Sequence, residues 1–246
     1  MHSSPIPVKS RFLSASSLRL CAILLMLCDH LWASLIPGNN WMTNLGRLAF
    51  PIFAFQISEG YIHTSDYKRY AKRLLLFALI SEIPFNLFYI SYPFFPFHQN
   101  VMFTLLLGLL TVRQIDLLRS AENSRQRIRA ILFLFMYLLL SVLLFPDYGT
   151  RGVLTVAAFY LLREFPLAWL CQLIAMVLLN IVGFKGLQIP FELFGFSFSL
   201  VQQGFAVFAL LPIWCYNGEK GRSSRYGSYL FYPLHMLILY FIRLTF

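Results

Sequence analysis

The chain has 246 residues, 59% of them hydrophobic and 12% charged, with a mean hydropathy of +0.67. Soluble domains carry roughly 25% charged residues, so this composition excludes a water-soluble globular domain. A net charge of +10 would suit nucleic acid in a soluble protein, but no nucleic-acid-binding motif accompanies it, and the basic residues lie in short segments between apolar runs.

Apolar runs of about 20 residues, the length that crosses a bilayer as a helix, recur along the chain. They are continuous rather than alternating, which favours helices over a barrel. The predicted fold is all-α, a polytopic membrane helix bundle with about nine spans, at 18–37, 45–64, 71–90, 99–118, 129–146, 149–163, 166–184, 200–216 and 227–246. Residues 1–17 form an N-terminal tail and 18–246 a single integral-membrane domain. The first run resembles the core of a signal peptide, but it holds Asp29 and His30 and is long enough to span, so it is expected to be retained. Residues 185–199 are apolar but interrupted by Gly and Pro, which suggests a re-entrant or interfacial segment. The polar stretch 119–129 reads as a solvated loop.

The basic residues orient this arrangement. With the N-terminus cytoplasmic and the C-terminus outside, only Arg47, Arg151, Lys185 and Arg243 of the 20 Lys and Arg fall outside. The others, including Lys9, Arg19, the Lys68–Arg73 group, Arg113 to Arg129 and Lys220 to Arg225, fall inside, as the positive-inside rule requires. Cys21, Cys28, Cys171 and Cys215 lie in apolar stretches without metal-ligand spacing, and no metal is expected.

Ionisable groups within a bilayer are costly and mark sites by default. Here they are Asp29, His30, Glu59, Glu82 and His235, with Arg47, Asn100, Asp147 and Arg151 at span ends. At about 1.5 Å per residue, His30 lies roughly 18 Å along the first span. Most of these groups reach the outer half in depth. Arg19 and His30 are eleven residues apart, three helical turns, and share a face. Asp29 points about 100° away from His30, so a partner such as Arg47 or Glu82 must come from another helix. Each group also has a plainer reading. Asp29 and Arg47 would serve as a packing ion pair, His235 as a helix contact, and Glu59 as a group reaching cytoplasmic water or the Lys68–Arg73 cluster. His63 and His98 would lie near the interfaces.

The residues carry a family resemblance over about nine tenths of the chain. Its stretches are Leu18-Arg19…Asp29-His30, Gly46-Arg47-Leu48-Ala49-Phe50-Pro51, Glu59-Gly60, Ser81-Glu82-Ile83-Pro84, Asn100-Val101…Thr104…Gly108, Asp147-Tyr148-Gly149, Asn217-Gly218 and Tyr232-Pro233-Leu234-His235. In order and spacing they resemble the TraX family, named for conjugative-pilin N-acetyltransferase. The first span is also similar to that of the wider integral-membrane acyltransferases, in which an Arg and a His stand eleven apart on the first helix. The resemblance implies acyl transfer from acetyl-CoA to an amine or hydroxyl of a protein, glycan or lipid acceptor, with His30 catalytic. Asp29, Arg47, Glu82 and Asn100 would surround the reaction, and Arg47 or Asn100 would stabilise the carbonyl oxygen. Arg19, Lys68, Arg69, Lys72 and Arg73 would meet the phosphates of the donor, and Glu59, Asp147, Arg151 and His235 are further candidates. Two other classes compete. A transporter would use Asp29, His30, Glu82 and His235 as a proton path, although no inverted repeat is visible. A non-catalytic envelope scaffold would tolerate substitution of His30 and Arg47.

Overall fold

The computed structural model describes residues 11–183, 186–193, 196–222 and 227–245. Lys9, Lys185 and Arg225, most of the N-terminal tail and the expected span ends at 184 and 246 lie outside them. The fold is mostly helical. The chain divides into two compact units, residues 1–53 with 161–223 and residues 54–160 with 224–246.

In the first unit, α1 (Ala15–Ser34) is capped by Ser14, whose side chain accepts from the Ser17 amide, satisfying a donor that the helix itself leaves open. The segment before it is tied down. Leu13 N–H donates to the Cys215 carbonyl at 3.0 Å, Ala15 N–H to Glu219 at 2.8 Å and Ser16 N–H to Lys220 at 3.1 Å. The second expected span, 45–64, corresponds mainly to one helix, preceded by a turn and a shorter helix. A short α2 (Asn40–Gly46) ends in a turn, and the helix restarts as α3 (Ala49–Ile62), which continues into the second unit. Farther along, α8 (Ala168–Val177) passes into a π-helical turn, Leu178–Val182.

The segment expected to be re-entrant or interfacial forms an antiparallel hairpin, β1 (Gln188–Leu193) with β2 (Phe196–Val201), in which Gln188 faces Val201. The expected eighth span is correspondingly replaced. It begins in β2, runs as a 3-10 helix (Gln202–Ala209) and ends in the single turn α9 (Leu210–Trp214).

The second unit packs α4 (Tyr67–Ile90) against α5 (Val101–Arg119) and α10 (Gly227–Arg243), and α6 (Ser124–Leu143) against α5. Asp66, Asn100 and Asn123 cap α4, α5 and α6 by accepting from Arg69, Met102 and Gln126 amides. Asn123 therefore starts α6 inside the stretch expected to be a loop, which shrinks to Ser120–Asn123. The helix α7 (Gly149–Leu161) approaches α5 closely at Gly108, where an added Cβ would come within 2.8 Å of Val156 Cβ.

Length and composition make four helices apolar and long enough to cross a bilayer: α1, α4, α5 and α6. The others are shorter; α7, at 13 residues, is about 20 Å long against a hydrocarbon core of about 30 Å. The nine spans expected are thus not all present as spanning helices among the described residues. The contact at Gly108 gives a direct check. Gly108→Val should lower stability by about 1–3 kcal/mol, the usual cost of overpacking, read as a lower melting temperature in detergent.

Candidate active site

His30 lies on the buried stripe of α1, with Leu18, Ala22 and Met26. These residues recur every four positions and therefore share a face. His30 is 6% exposed, whereas Leu20 and Leu24, on another face, are 58% and 57% exposed. The imidazole is thus turned into the protein and away from the outward face of its helix. The His30 carbonyl also accepts from the Ser34 hydroxyl at 2.7 Å.

The neighbouring Asp29 meets Arg47. A single guanidinium nitrogen, Arg47 Nη2, donates to both carboxylate oxygens of Asp29, at 3.0 and 2.9 Å, and to Thr43 Oγ1 at 3.1 Å. Arg47 Nε adds a longer bond to the Thr43 carbonyl, 3.4 Å. Two facts of the chain allow this. The turn after Gly46 places Arg47 at the α2 C-cap, one residue beyond the closest approach to α1. At that approach Gly46 has no side chain, and a Cβ there would overlap the Asp29 side chain. The Gly46-Arg47 pair is therefore one device: the glycine admits the carboxylate and the arginine neutralises it. Both side chains are mostly shielded, 25% and 16% exposed, so the pair is screened far less than one at the surface.

In the second unit the centre is Glu82. Its Oε2 accepts from the Asn100 side-chain amide at 2.5 Å and from the Asn100 backbone N–H at 3.3 Å, and its Oε1 from Asn86 at 3.3 Å. The Asn100 amide also donates to the Ala78 carbonyl at 2.8 Å, while its oxygen caps α5. Asn100 thus spends its amide on holding α4 to the start of α5. Nearby, the Asp147 backbone N–H donates to the Gln99 carbonyl at 2.8 Å, and Thr104 Oγ1 donates to the Asp147 carbonyl. His98 Nε2 lies 4.0 Å from Asp147 Oδ1, an ion-pair distance rather than a direct hydrogen bond. That carboxylate holds the His98 pKa above the usual imidazole value against the opposing effect of burial.

The remaining candidates separate. His235 is buried and donates through Nδ1 to the Phe231 carbonyl at 2.7 Å, its ring stacked on Phe231. Glu59 is buried, and its carboxylate lies 3.5 Å from His63 Nε2. Arg151 is exposed. Arg19 is half-buried on α1. Lys68, Arg69 and Lys72 are exposed on the first turns of α4. Arg73 differs. Its guanidinium sits over the rings of Tyr70 and Tyr229, at 5.2 and 5.3 Å, and its Nε is buried without a hydrogen-bond partner.

Two polar groupings lie outside the candidates named from the sequence, although Asp116 is an ionisable residue within the span expected at 99–118. Asp116, at the far end of α5, accepts from Tyr61 at 2.6 Å, Tyr160 at 3.1 Å and Arg113 at 3.3 Å, tying α3 and α7 to α5. In the first unit, Gln203 donates to Asn180 at 3.1 Å within the π-helical turn, and Trp214 donates to Gln172 at 3.1 Å. A search for uncharged Asn and Gln inside apolar runs would have found this second group.

The chain matches the TraX protein family over residues 14–243. It belongs to that family. It is 29% identical over 247 residues, covering 92% of this chain and 94% of the relative, to a protein of Dichelobacter nodosus named "Probable fimbrial assembly protein FimC, serogroup H1". No solved structure matches it.

Two outcomes follow for this TraX-family chain. Asp29→Asn should cost about 2 kcal/mol, the range for losing a hydrogen bond to a charged group, and Gly46→Ala should cost at least as much, both read as loss of melting temperature. For His98, the raised pKa means that its contact with Asp147 stabilises the loop fully below the unfolded value of about 6.5. That stabilisation is lost as pH rises through the folded value. Imidazole NMR should show the His98 titration moving down in Asp147→Asn.

Proposed function

We propose that this protein is a membrane-embedded acyltransferase, moving acetyl from acetyl-CoA to an amine or hydroxyl of an envelope acceptor. The observation that carries the proposal is a buried imidazole, His30, next in sequence to a neutralised carboxylate in a chain of the TraX family. The relative named for fimbrial assembly makes a surface-fibre subunit the first acceptor to try.

In the proposed reaction, His30 takes the proton of the acceptor amine or hydroxyl as that atom attacks the thioester carbonyl. The tetrahedral intermediate then expels the CoA thiolate, which is protonated by the imidazolium. Neutral imidazole is suited to this because its ordinary pKa lies near 6.5. An acyl-imidazole on His30, later attacked by the acceptor, is the covalent variant. The Asp29–Arg47 pair fixes the stretch of α1 that carries His30. Arg47 or Asn100 is proposed to stabilise the developing oxyanion. Arg73, with its unpartnered Nε, is the proposed phosphate contact of the second unit, with Lys68, Arg69 and Lys72 beside it in sequence; Arg19 is the corresponding candidate of the first. Glu82 is proposed to act through its hold on Asn100. The reading places the protein in the cell membrane, N-terminus cytoplasmic.

The test is a purified His30→Ala variant assayed for acetyl transfer and for acetyl-CoA hydrolysis. The expected loss is at least about a hundredfold, the scale of general-base catalysis, with the melting temperature kept. Wild-type turnover in that variant would remove His30 from the chemistry.

A further inference from the structure

We propose that α6 carries a site for the head group of an anionic phospholipid. A groove of about 690 Å³ runs along this helix, lined by Arg125, Ile128, Arg129, Leu132, Phe133 and Met136. Their spacing of three and four makes them one continuous stripe. At about 100° per residue, it lies largely opposite Ala130 and Ser141, the helix's buried positions. Among the described residues it is largely uncovered: 11% of the apolar window of α6 is buried, against 56% for α5. Leu132 in the stripe is 63% exposed and Ile128 57%.

The stripe is graded as a lipid is. The two arginines stand one turn apart at one end, and only apolar side chains follow. Arg129 lies over the Phe133 ring at 5.7 Å, which holds its guanidinium beside the apolar part of the groove. The arginines do nothing for α6 itself. Positive charge in a first turn opposes the helix dipole, and that turn has no acidic residue. Among the described residues, no carboxylate lies within 4.0 Å of Arg125, Arg127 or Arg129. Their charge is therefore open to a partner from outside the chain. A phosphodiester at the membrane boundary supplies the countercharge, with acyl chains lying along Leu132 and Met136. Guanidinium matches phosphate with paired donors, and an anionic lipid surface is worth about 1 kcal/mol for each basic residue near it, or about fivefold.

The experiment uses the full chain purified in neutral detergent, offered phosphatidylglycerol or phosphatidylcholine, with retained lipid read by native mass spectrometry. The wild type should retain phosphatidylglycerol selectively, and excess inorganic phosphate should not displace it. The pair Arg125→Gln with Arg129→Gln should lose about 25-fold of that retention, two charges at about fivefold each. Arg125→Lys with Arg129→Lys should keep most of it. A control removing charge elsewhere, Lys220→Gln with Arg222→Gln, should change nothing. The proposal is overturned by equal retention in the Gln pair, or by equal loss in the control. It is also overturned by competition from inorganic phosphate alone, or by a spontaneous disulfide-linked dimer of Leu132→Cys, which would make a second copy the occupant.

Discussion

The arrangement depends on the cost of an ionised group in apolar surroundings. A carboxylate on an apolar helix must be paired, protonated or left in water. Asp29 is paired, and the pairing dictates local architecture. One nitrogen of Arg47 bridges both of its oxygens, a geometry that requires α2 to pass close to α1. Gly46 makes the passage possible, because any larger residue would meet Asp29. Thr43, one turn earlier, takes the remaining share of the guanidinium through its hydroxyl and its carbonyl. The break between α2 and α3 falls just after Arg47, whose own backbone is still helical, and Pro51, four residues on, has no N–H to give the Arg47 carbonyl. His30 inherits its setting from the same constraint, since it follows Asp29 on α1 and faces the buried stripe.

The second unit meets the same cost with a different solution. Glu82 has amide donors instead of a cation, two from Asn100 and one from Asn86. Asp116 has two phenols and an arginine. Asn100 and Asp116 stand at opposite ends of α5, sixteen residues apart, or about 24 Å along the axis. Each end of that helix is therefore anchored by one saturated polar cluster, and between them α5 is apolar and closely packed, with Gly108 letting α7 approach. Saturation limits what these clusters can do chemically. The Asn100 amide is committed to a carboxylate and a backbone carbonyl, and in the fold it fastens the start of α5 to α4.

Much of this was legible in the residues. Helix starts are written as Ser14, Asp66, Asn100 and Asn123, since a short polar side chain before an apolar run caps open amides. The spans expected from 18, 71 and 129 start inside the helices that these caps open, and Asn123 falls in the stretch expected to be a solvated loop, where charged neighbours outweigh the capping signal. The Asp29–Arg47 partnership was among the alternatives, because each charge needs a countercharge and few are available. The break after Gly46 is legible in Pro51, which lacks the N–H that a continuous helix would give the Arg47 carbonyl, although apolar character continues across it. The hairpin at Gln188–Val201 was missed. Pro190 and the Gly residues marked it as irregular, but a short apolar run has no periodicity strong enough to separate a strand from an interfacial segment. The carboxamides Asn180, Gln203 and Gln172 escaped because uncharged polar side chains barely lower hydropathy, and their partners lie on other helices.

The stretches that resemble the TraX family coincide with these polar fastenings rather than with the apolar spans between them. Gly46-Arg47 supplies the pocket and the cation for Asp29. Ser81-Glu82 and Asn100 supply the clasp between α4 and α5. Asp147 takes part in the turn that Thr104 and Gln99 secure. The intervening spans need only be apolar and of suitable length, a demand that many side chains meet. The fastenings need one donor, one acceptor or one absent side chain at a fixed place, and few residues meet that. Short motifs scattered over a hydrophobic chain can therefore specify one family more sharply than its long runs do. His30 fits this pattern only in part. It follows Asp29 on α1 and itself lies on the buried stripe with Leu18, Ala22 and Met26, so the close approach of α2 that Asp29 requires also sets the surroundings of the imidazole.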